Sequence, residues 1–313
     1  MRIAFVVDPL KKLKAYKDSS IFMMREAVKR GHDVYAFEAG ELALSRGNVV
    51  ANATQLSVHE DNDHWYREIA TSETRLADFG AVLMRKDPPF DQEYLYATLL
   101  LELAEKQGAR VVNRAASLRD YNEKLSIAKF PQFTAPTLVS KSMVRLHAFI
   151  DEHGDVIVKK LDGMGGTSIF RVRADDPNRN AIIEVQTLNG TETIMAQRYI
   201  PEIAKGDKRV LVIDGQPVPF CLARIPKEGE TRGNLAAGGR GVAQPLATRD
   251  REIAVALGPQ LIADGLTVVG LDIIGDYLTE VNVTSPTCLV EIYEQAGFNA
   301  AAQVIDALEA HND

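Results

Sequence analysis

The sequence has little of what marks secreted and membrane proteins. Only two of its 313 residues are cysteines, Cys221 and Cys288, and they lie too far apart to suggest a disulfide framework. No apolar run approaches the roughly 20 residues needed to cross a bilayer, and the N-terminal run is shorter than the apolar core of a signal peptide. We therefore expect a cytoplasmic protein with no membrane partner.

An excess of positive charge is also absent. The formal net charge is −7 and the isoelectric point is near 5.5, so the electrostatic footprint of a nucleic-acid-binding protein is missing. The local run Lys11, Lys12, Lys14 and Lys17 is interpreted as a solvated loop. Hydrophobic residues at 46% and charged residues at 25% are typical of a globular protein. The length suggests about two domains.

The two common nucleotide-binding motifs, G-x-x-x-x-G-K-[ST] and G-x-G-x-x-G, are missing as well. A glycine-rich turn at 163–168 instead joins two predicted strands, 156–159 and 169–172, and its backbone N–H groups and hydroxyls can cover a phosphate. Lys159 lies just before the turn, where its ammonium group can neutralise phosphate charge. The alternative is a sheet-edge lysine that discourages aggregation.

The N-terminal part shows the alternation of strands and helices that is typical of a parallel α/β sheet. Residues 2–7 and 34–37 predict strands joined by a helix over 21–30, and a right-handed crossover makes such strands parallel. Residues 81–84 predict a core strand that ends at Arg85. Because α/β sheets bind ligands past the carboxyl ends of their strands, Arg85 and Lys86 are candidate anion contacts. A surface charge at a strand end is the alternative.

The stretch 268–286 predicts a β-hairpin that carries three oxygen-bearing side chains, Asp272, Glu280 and Asn282. Carboxylate and amide oxygens on one face are the hard ligands that suit Mg²⁺. The alternative is an ordinary solvated strand face.

The register of this hairpin follows from its apolar residues, which should share one buried face. A two-residue loop, Gly275-Asp276, would put the apolar residues of the two strands on opposite faces, whereas a three-residue loop over 275–277 aligns them. We therefore expect the three-residue loop, with Asp272 directly across from Glu280.

Residues 226–241 contain five glycines and no apolar periodicity. Such a stretch within a compact protein is either an active-site lid or a disordered insert. Its spaced polar residues, Arg232, Asn234 and Arg240, favour the lid. Further along, residues 115–128 predict one helix.

Seven segments, taken together, resemble the ATP-grasp superfamily and, within it, the bacterial glutathione synthetases. They span nearly the whole chain: MRKDPPF at 84–90, SLRDYNEKL at 117–125, KLDGMGGTSIFRV at 160–172, GDKRVLV at 206–212, CLARIP at 221–226, GETRGNLAAGGRG at 229–241 and GLDIIGDYLTEVNVTSPT at 270–287. Two departures stand out: the family usually has proline at the position of Lys160, and the tail beyond Glu291 looks less similar.

The resemblance implies an α/β (α+β) fold with an N-terminal parallel-sheet domain at 1–121. A small ATP-grasp lid subdomain at 122–200 and a C-terminal ATP-grasp subdomain at 201–313 would follow. The implied activity is the ATP-dependent ligation of γ-glutamylcysteine to glycine through an acyl phosphate. The implied cofactors are ATP and Mg²⁺, for which Mn²⁺ can substitute, and a homotetramer is expected by analogy.

The resemblance also implies roles for individual residues. The ATP contacts are Lys124, Lys159, Lys208, the turn residues Gly163, Met164, Gly165, Gly166, Thr167 and Ser168, and the adenine-facing Gln197, Arg198, Tyr199 and Ile200. The metal ligands are Asp272, Glu280 and Asn282. The residues that stabilise the acyl phosphate are Arg209 and Arg224. The substrate contacts, including those from the lid, are Arg85, Arg232, Asn234, Arg240, Ser285, Thr287 and Glu291.

Two alternative functions stay open at this point. The first is another ATP-grasp carboxylate-amine ligase, one that joins D-alanines or adds glutamate. The second is a regulatory protein that binds ATP without catalysis. The presence of Arg224 beside the three metal-ligand candidates argues against a pure binder, which has no need of a cation for an acyl phosphate.

Overall fold

The computed structural model describes residues 1–230, 232–235 and 238–310, which form three β-sheets with flanking helices. The predicted lid therefore includes three residues outside the described part: Thr231, Ala236 and Ala237. Each sheet lies within one of the three predicted domain ranges, whose exact boundaries stay predictions. No helix in the described ranges has both the length and the apolar character of a membrane span.

The first sheet is mixed and lies in the N-terminal third of the chain. Its strands are β1 (Arg2–Val6), β2 (Asp33–Phe37), β3 (Leu42–Ser45), β4 (Asn48–Val58), β5 (Tyr66–Arg75), β6 (Ala81–Met84) and β7 (Val111–Val112). Its helices are α1 (Ser19–Lys29), α2 (Gln92–Lys106) and α3 (Ala115–Asp120). Strands β2, β1, β6 and β7 are neighbours and pair in parallel, which confirms the predicted parallel sheet. Asp18 caps α1 by accepting hydrogen bonds from the backbone N–H groups of Ser20 and Ile21.

The second sheet has four antiparallel strands and its own small apolar core. Its elements are β8 (Thr137–Ser140), α4 (Met143–His153), β9 (Asp155–Lys160), β10 (Ile169–Arg173), α5 (Arg179–Gln186) and β11 (Ile194–Arg198). Strands β9 and β10 pair with Lys159 opposite Ile169, so the glycine-rich turn is the tip of a hairpin, as predicted.

The third sheet has five antiparallel strands in the order β14-β13-β12-β15-β16. Its elements are β12 (Asp207–Ile213), β13 (Gln216–Ile225), β14 (Arg240–Pro245), α6 (Thr248–Ala263), β15 (Val268–Ile274), β16 (Tyr277–Asn282), α7 (Leu289–Ala296) and α8 (Ala300–Ala310). Its apolar residues share two continuous cores with those of the first sheet. The two sheets are thereby held together, and the ends of their strands open onto a common cleft.

Asn113 joins the first sheet to the third. Its side-chain nitrogen donates to the carbonyl oxygens of Val268 and Val283, each at 2.8 Å. Its side-chain oxygen accepts from the backbone N–H groups of Thr267 and Val268, at 2.8 and 2.9 Å. The buried side-chain amide of Asn113 therefore donates two hydrogen bonds and accepts two. These bonds hold both ends of the predicted metal-binding hairpin, at 267–268 and at Val283.

The prediction of one helix over 115–128 is wrong. Helix α3 ends at Asp120, and a separate short 3₁₀ helix follows at Leu125–Lys129. The side-chain oxygen of Asn122 accepts from the backbone N–H groups of Lys124 and Leu125. These local bonds compete with the helical pattern, so the chain turns at Asn122 and restarts after it.

The prediction of a three-residue hairpin loop is also wrong. Ile274 pairs with Tyr277 across the two-residue loop Gly275-Asp276, but the register then shifts, because Thr279 is an extra residue on β16. This β-bulge restores the alignment of the apolar residues, which the loop alone would not give. The predicted pairing of Asp272 with Glu280 is therefore confirmed, although the bulge rather than the loop produces it.

Candidate active site

A cleft of about 450 Å³ lies where the three sheets meet. A smaller cavity of about 70 Å³ adjoins it, since Ile169, Asn234, Asp272 and Glu280 line both. Together they bring most of the predicted site residues into one region. The larger cleft contains residues from α1, the end of β6, the glycine-rich turn and the loop after β16.

The acidic end of the cleft is built on β12, β13 and β15. Asp272 is buried at 2% exposure and lies between two guanidinium groups. Arg209 Nε is 2.6 Å from Asp272 Oδ1, and Arg224 Nη2 is 2.8 Å from Asp272 Oδ2. Burial alone would raise the pKa of Asp272, but the two arginines hold this pKa well below its usual range. The carboxylate is therefore ionised at any ordinary pH.

Glu280 faces the same space from β16, with two lysines near it. Its carboxylate is 3.6 Å from Lys124 Nζ and 3.9 Å from Lys159 Nζ. Burial lowers the pKa of Lys159, and the nearby Glu280 opposes this effect. These two buried ammonium groups are suited to phosphate oxygens, because a ligand anion repays part of the cost of their burial.

The three metal-ligand candidates line the same cleft. Asp272 and Glu280 pair across β15 and β16, and Asn282 Nδ2 donates to Gly270 O at 3.0 Å on the same pair of strands. No group of three His, Cys, Asp or Glu side chains in the described residues could hold a metal ion, so the predicted set depends on the amide of Asn282 as its third member. Two carboxylates and an amide oxygen fit a hard divalent cation that keeps water or phosphate ligands.

The glycine-rich turn forms one wall of the cleft. Gly163, Met164, Gly165 and Gly166 line it, and Lys124 Nζ donates a hydrogen bond to Gly163 O. Gly166 has a φ of +83°, and a Cβ there would meet Asn234 Oδ1 at 2.8 Å, so the turn and the predicted lid touch. Arg232 Nη1 also donates to Gly166 O, at 3.3 Å.

The smaller cavity is lined mainly by the second and third sheets. The predicted adenine-facing residues Gln197, Arg198, Tyr199 and Ile200 all line it, together with Lys159. Apolar side chains share its wall: Ile157, Ile169, Ile203 and Ile274. An apolar slot beside buried cations is suited to a flat base whose phosphates extend into the larger cleft.

The far end of the larger cleft contains the predicted substrate contacts Arg85, Ser285, Thr287 and Glu291. Arg85 is 5% exposed and donates from Nε to Ser20 Oγ at 3.1 Å and from Nη2 to Pro286 O at 2.8 Å. The loop between β16 and α7 therefore runs from the metal-ligand candidates to this arginine.

Four predicted site residues line neither cavity. Lys208 lies on the opposite face of β12 from Arg209, because side chains alternate along a strand; its ammonium group bonds to Asp250 and to Gly275 O instead. Thr167 is exposed and Ser168 is half-buried, and neither lines a cavity. Arg240 is exposed at the start of β14. Lys208 therefore has a structural partner on that face of β12, and its predicted contact with ATP stays a prediction.

Several lining residues were not predicted. Asp207 precedes Arg209 by two positions on β12, and the alternation of a strand could have identified it as facing the cleft. Its carboxylate lies 2.5 Å from Arg224 Nη2, and burial raises the pKa of Asp207, which Arg224 opposes. Lys12, Lys14 and Lys17 also line the cleft. All three are exposed, as the interpretation of a solvated loop requires.

Comparison with known proteins agrees with this geometry. The family model of the prokaryotic glutathione synthetase N-terminal domain matches residues 1–119, and that of the prokaryotic glutathione synthetase ATP-grasp domain matches residues 123–297. The glutathione synthetase of Ralstonia nicotianae is 58% identical over 310 residues, covering 99% of this chain and 95% of that protein. That of Bordetella parapertussis is 56% identical over 315 residues, covering 99% of each chain.

This chain belongs to the prokaryotic glutathione synthetase family. It is an ATP-dependent ligase of glutathione synthesis, as the resemblance of its motifs predicted. The three-sheet architecture recurs in more distant solved structures. The D-cycloserine synthetase DcsG superposes with a TM-score of 0.69 at 15% identity over the whole of both chains. The ATP-grasp ligase PsnB gives 0.66 at 18% identity over 98% of each chain. At these identities the likeness concerns the fold alone.

Proposed function

We propose that this glutathione synthetase family member joins γ-glutamylcysteine to glycine through an acyl phosphate formed in the large cleft. The observation that carries the proposal is the convergence of two arginines and two lysines on the carboxylates of Asp272 and Glu280. Phosphoryl transfer needs positioning and charge neutralisation more than a proton-transfer residue. This end of the cleft supplies both without a histidine.

In the first step an oxygen of the cysteinyl carboxylate attacks the γ-phosphorus of ATP, and the bond between the γ-phosphorus and the β,γ-bridging oxygen breaks to release ADP. Lys124 and Lys159 would neutralise the phosphates from one side, under the glycine-rich turn. Arg209 and Arg224 would stabilise the charge that develops on the transferred group from the other side. A carboxylate resists attack by an amine, so this step supplies the leaving group that amide formation needs.

In the second step the amine of glycine attacks the acyl carbon. Inorganic phosphate leaves, and the new amide nitrogen loses a proton. The lid residues Arg232 and Asn234 already contact or line the cleft, and we propose that they cover the acyl phosphate. Shielding from water favours the amine over hydrolysis.

Asp272, Glu280 and Asn282 are the residues that would hold the divalent metal, and we propose Mg²⁺, with Mn²⁺ as a substitute. When bound, this ion supplies charge neutralisation at the terminal phosphates of the nucleotide. The direct pairing of Asp272 with Glu280 across two hydrogen-bonded strands supports this proposal. By analogy with the family we further propose a cytoplasmic homotetramer.

A substrate panel tests the proposed reaction. Purified protein with MgATP should release ADP only when both γ-glutamylcysteine and glycine are present, and glutathione should appear in equal amount. Two control conditions should give no more ADP release than the background: D-alanine as the sole substrate, and a glutamate-accepting substrate in place of glycine. ADP release with D-alanine, or ATP binding without turnover on any pair, would favour one of the two alternative functions instead.

A further inference from the structure

Glu123 lines the larger cleft beside Lys124 but belongs to none of the predicted contacts with ATP, metal or substrate. One of its carboxylate oxygens, Oε1, accepts three hydrogen bonds from the loop that follows β16. The donors are the backbone N–H of Val283 at 3.2 Å, the backbone N–H of Thr284 at 3.3 Å and the hydroxyl of Thr284 at 2.8 Å. A single oxygen thus holds two consecutive residues of that loop.

The backbone of Glu123 holds the same stretch of chain two residues earlier. Its carbonyl oxygen accepts from the backbone N–H of Val281 at 2.8 Å. Strand β16 is an edge strand of the third sheet, so N–H groups on its outer side need partners from outside the sheet. Glu123 supplies such partners on both sides of Asn282.

The stretch held in this way carries the third metal-ligand candidate. The amide nitrogen of Asn282 donates to Gly270 O at 3.0 Å, so its oxygen is the end left for a metal. Two predicted substrate contacts, Ser285 and Thr287, follow closely along the chain and line the same cleft. A shift of the chain at 283–284 would therefore move a metal-ligand candidate on one side and substrate contacts on the other.

The residues before and after Glu123 bond to the second sheet. Asn122 Nδ2 donates to Leu161 O at 3.1 Å, and Lys124 Nζ donates to Gly163 O. Both acceptors lie between β9 and β10, at the start of the glycine-rich turn. This short segment therefore connects the turn that covers one wall of the cleft with the loop after β16, and Glu123 is the residue that reaches the loop.

We infer that Glu123 is a positioning residue for the ligation reaction. Its Oε1 holds the backbone at 283–284, so that the Asn282 oxygen stays directed at the metal and the residues at 285–287 stay beside the dipeptide. This inference rests on the proposed function, because the metal and the dipeptide are those of that reaction.

Positioning of this kind needs an acceptor oxygen at the end of a side chain of this length, and it does not need a negative charge. Glutamine keeps both the length and a carbonyl oxygen, which can accept the same hydrogen bonds. Aspartate keeps the charge but is one methylene shorter, and alanine lacks both. Three variants at one position therefore separate positioning from a role of the charge, such as taking a proton from glycine.

Steady-state kinetics with MgATP, γ-glutamylcysteine and glycine give the first readout. Glu123→Ala and Glu123→Asp should each lower kcat/KM for γ-glutamylcysteine by at least about 10-fold, because two or three hydrogen bonds to the loop are lost. The Mg²⁺ concentration that gives half the maximal rate should rise by about 5-fold or more. Glu123→Gln should rescue both values to within about threefold of wild type.

Amide hydrogen exchange of the protein without ligands or metal gives a second readout. In Glu123→Ala the segment 281–287 should exchange about 10-fold faster or more, because its N–H groups lose their acceptor. Glu123→Gln should keep the protection. Asp120→Ala is the matched control: Asp120 is an exposed acid at the end of α3, outside the lining of both cavities, so this variant should behave as wild type in both readouts.

A milder variant keeps the inference testable if Glu123→Ala does not fold. Thr284→Val removes only the hydroxyl donor and keeps the shape of the side chain. It should lower kcat/KM for γ-glutamylcysteine by about 3- to 10-fold. In the background of Glu123→Asp it should have less than half of this effect, because the two side chains share one bond.

Three results would overturn the inference. The first is a Glu123→Gln variant as impaired as Glu123→Ala beside an active Glu123→Asp, which would assign the role to the charge. The second is a Glu123→Ala variant with a lower melting temperature but unchanged kinetic constants, which would make Glu123 a residue of stability alone. The third is unchanged exchange over 281–287 in a folded Glu123→Ala variant. Absence of glutathione formation by folded wild-type protein would contradict the proposed function instead.

Discussion

The carboxylate of Asp272 can accept about four hydrogen bonds. Arg209 donates to both of its oxygens, and Arg224 pairs with Oδ2. Among the described residues, Glu280 has no guanidinium partner of this kind, and its side chain is 19% exposed. Of the two carboxylates Glu280 is therefore the one that can change partners at lower cost. This difference makes Glu280 the sharper residue for testing the metal site.

We expect Glu280→Gln to reduce kcat by at least about 100-fold, as loss of a catalytic electrostatic contact does, while the fold persists. The side chain is at the cleft surface, so its replacement leaves the core unchanged. Rates of ADP release at increasing Mg²⁺, together with a thermal melt, give the measurement. Glu184→Gln, at an exposed position of α5, is the control. A wild-type rate in Glu280→Gln would show that the metal site lies elsewhere.

Lys208 provides a second prediction at this scale. Its partner Asp250 is fully buried, so Lys208→Met leaves a buried carboxylate unpaired and should cost about 3–5 kcal/mol of stability. The KM for ATP should stay within about twofold, since Lys208 is on the far face of β12. Urea unfolding and ATP titration of the rate measure the two effects. The double variant Lys208→Met/Asp250→Asn should recover much of the lost stability. A raised KM for ATP in that variant would show that Lys208 contributes to nucleotide binding.

Single residues were predictable where their chemistry and spacing agreed. Arg209 and Asp272 carry charges at positions that alternate correctly along their strands, and both face the cleft. Lys208 was predicted from its motif alone, and the alternation that puts it on the opposite face of β12 from Arg209 was already present in the sequence. Lys17 could not be found in this way, because a loop has no periodicity that shows which side chains face a ligand.

At the scale of elements, the segment 226–241 meets the glycine-rich turn through Arg232 and Asn234. Two loops that touch above one cleft should become less mobile together when the cleft is filled. We expect ATP plus γ-glutamylcysteine to slow trypsin cleavage after Arg232 by several-fold. Mass spectrometry of the fragments measures this rate, and cleavage at an exposed site such as Arg145 should be unchanged. Equal cleavage after Arg232 with and without ligands would reject its role as a lid.

Helix α8 is tied to α1 by Arg30, which donates to Glu26, Asp306 and Glu309 at 2.9, 2.6 and 3.0 Å. Arg30→Gln should cost about 1 kcal/mol at pH 7, as expected for a partly exposed ion-pair network. A melting temperature lower by roughly 2–4 °C would correspond to this loss. Arg251→Gln, at an exposed position of α6, is the control.

The effect of Arg30 should depend on pH with a definite sign. Burial raises the pKa of Glu26, but the hydrogen bonds from Arg30 and Asn299 outweigh it and hold this pKa below its ordinary value of 4.5. A lowered pKa in the folded state adds stability above pH 4.5, and this stability is lost as the pH falls further. The deficit of Arg30→Gln should therefore shrink between pH 5 and about pH 3. A deficit that grew over this range would contradict the assignment.

Element prediction succeeded for long periodic segments and failed where one local bond intervenes. Helix α1, at Ser19–Lys29, agrees within two residues with the helix predicted over 21–30, because its apolar residues repeat at helical spacing and Asp18 caps it. The break after Asp120 depends on one side-chain oxygen of Asn122, and the bulge at Thr279 depends on one extra residue. Neither changes composition or periodicity enough to be seen in the sequence.

At the scale of the whole molecule, the three sheets place the predicted phosphate contacts, the metal-ligand candidates and the predicted substrate contacts around one cleft. The relation of the sheets to one another could be inferred only from the family resemblance, because no local pattern encodes how Asn113 of the first sheet bonds to both ends of the metal hairpin. The two apolar cores shared by the first and third sheets likewise depend on contacts between residues far apart in the sequence, which no local pattern predicts.

The central claim is that this cleft transfers the γ-phosphoryl group of ATP to the substrate carboxylate. γ-Glutamylcysteine labelled with ¹⁸O in both oxygens of the cysteinyl carboxylate tests it directly. If an acyl phosphate forms, one labelled oxygen leaves with the phosphoryl group, so the released inorganic phosphate should carry one ¹⁸O atom for each glutathione formed. Unlabelled phosphate accompanying glutathione formation would contradict the account.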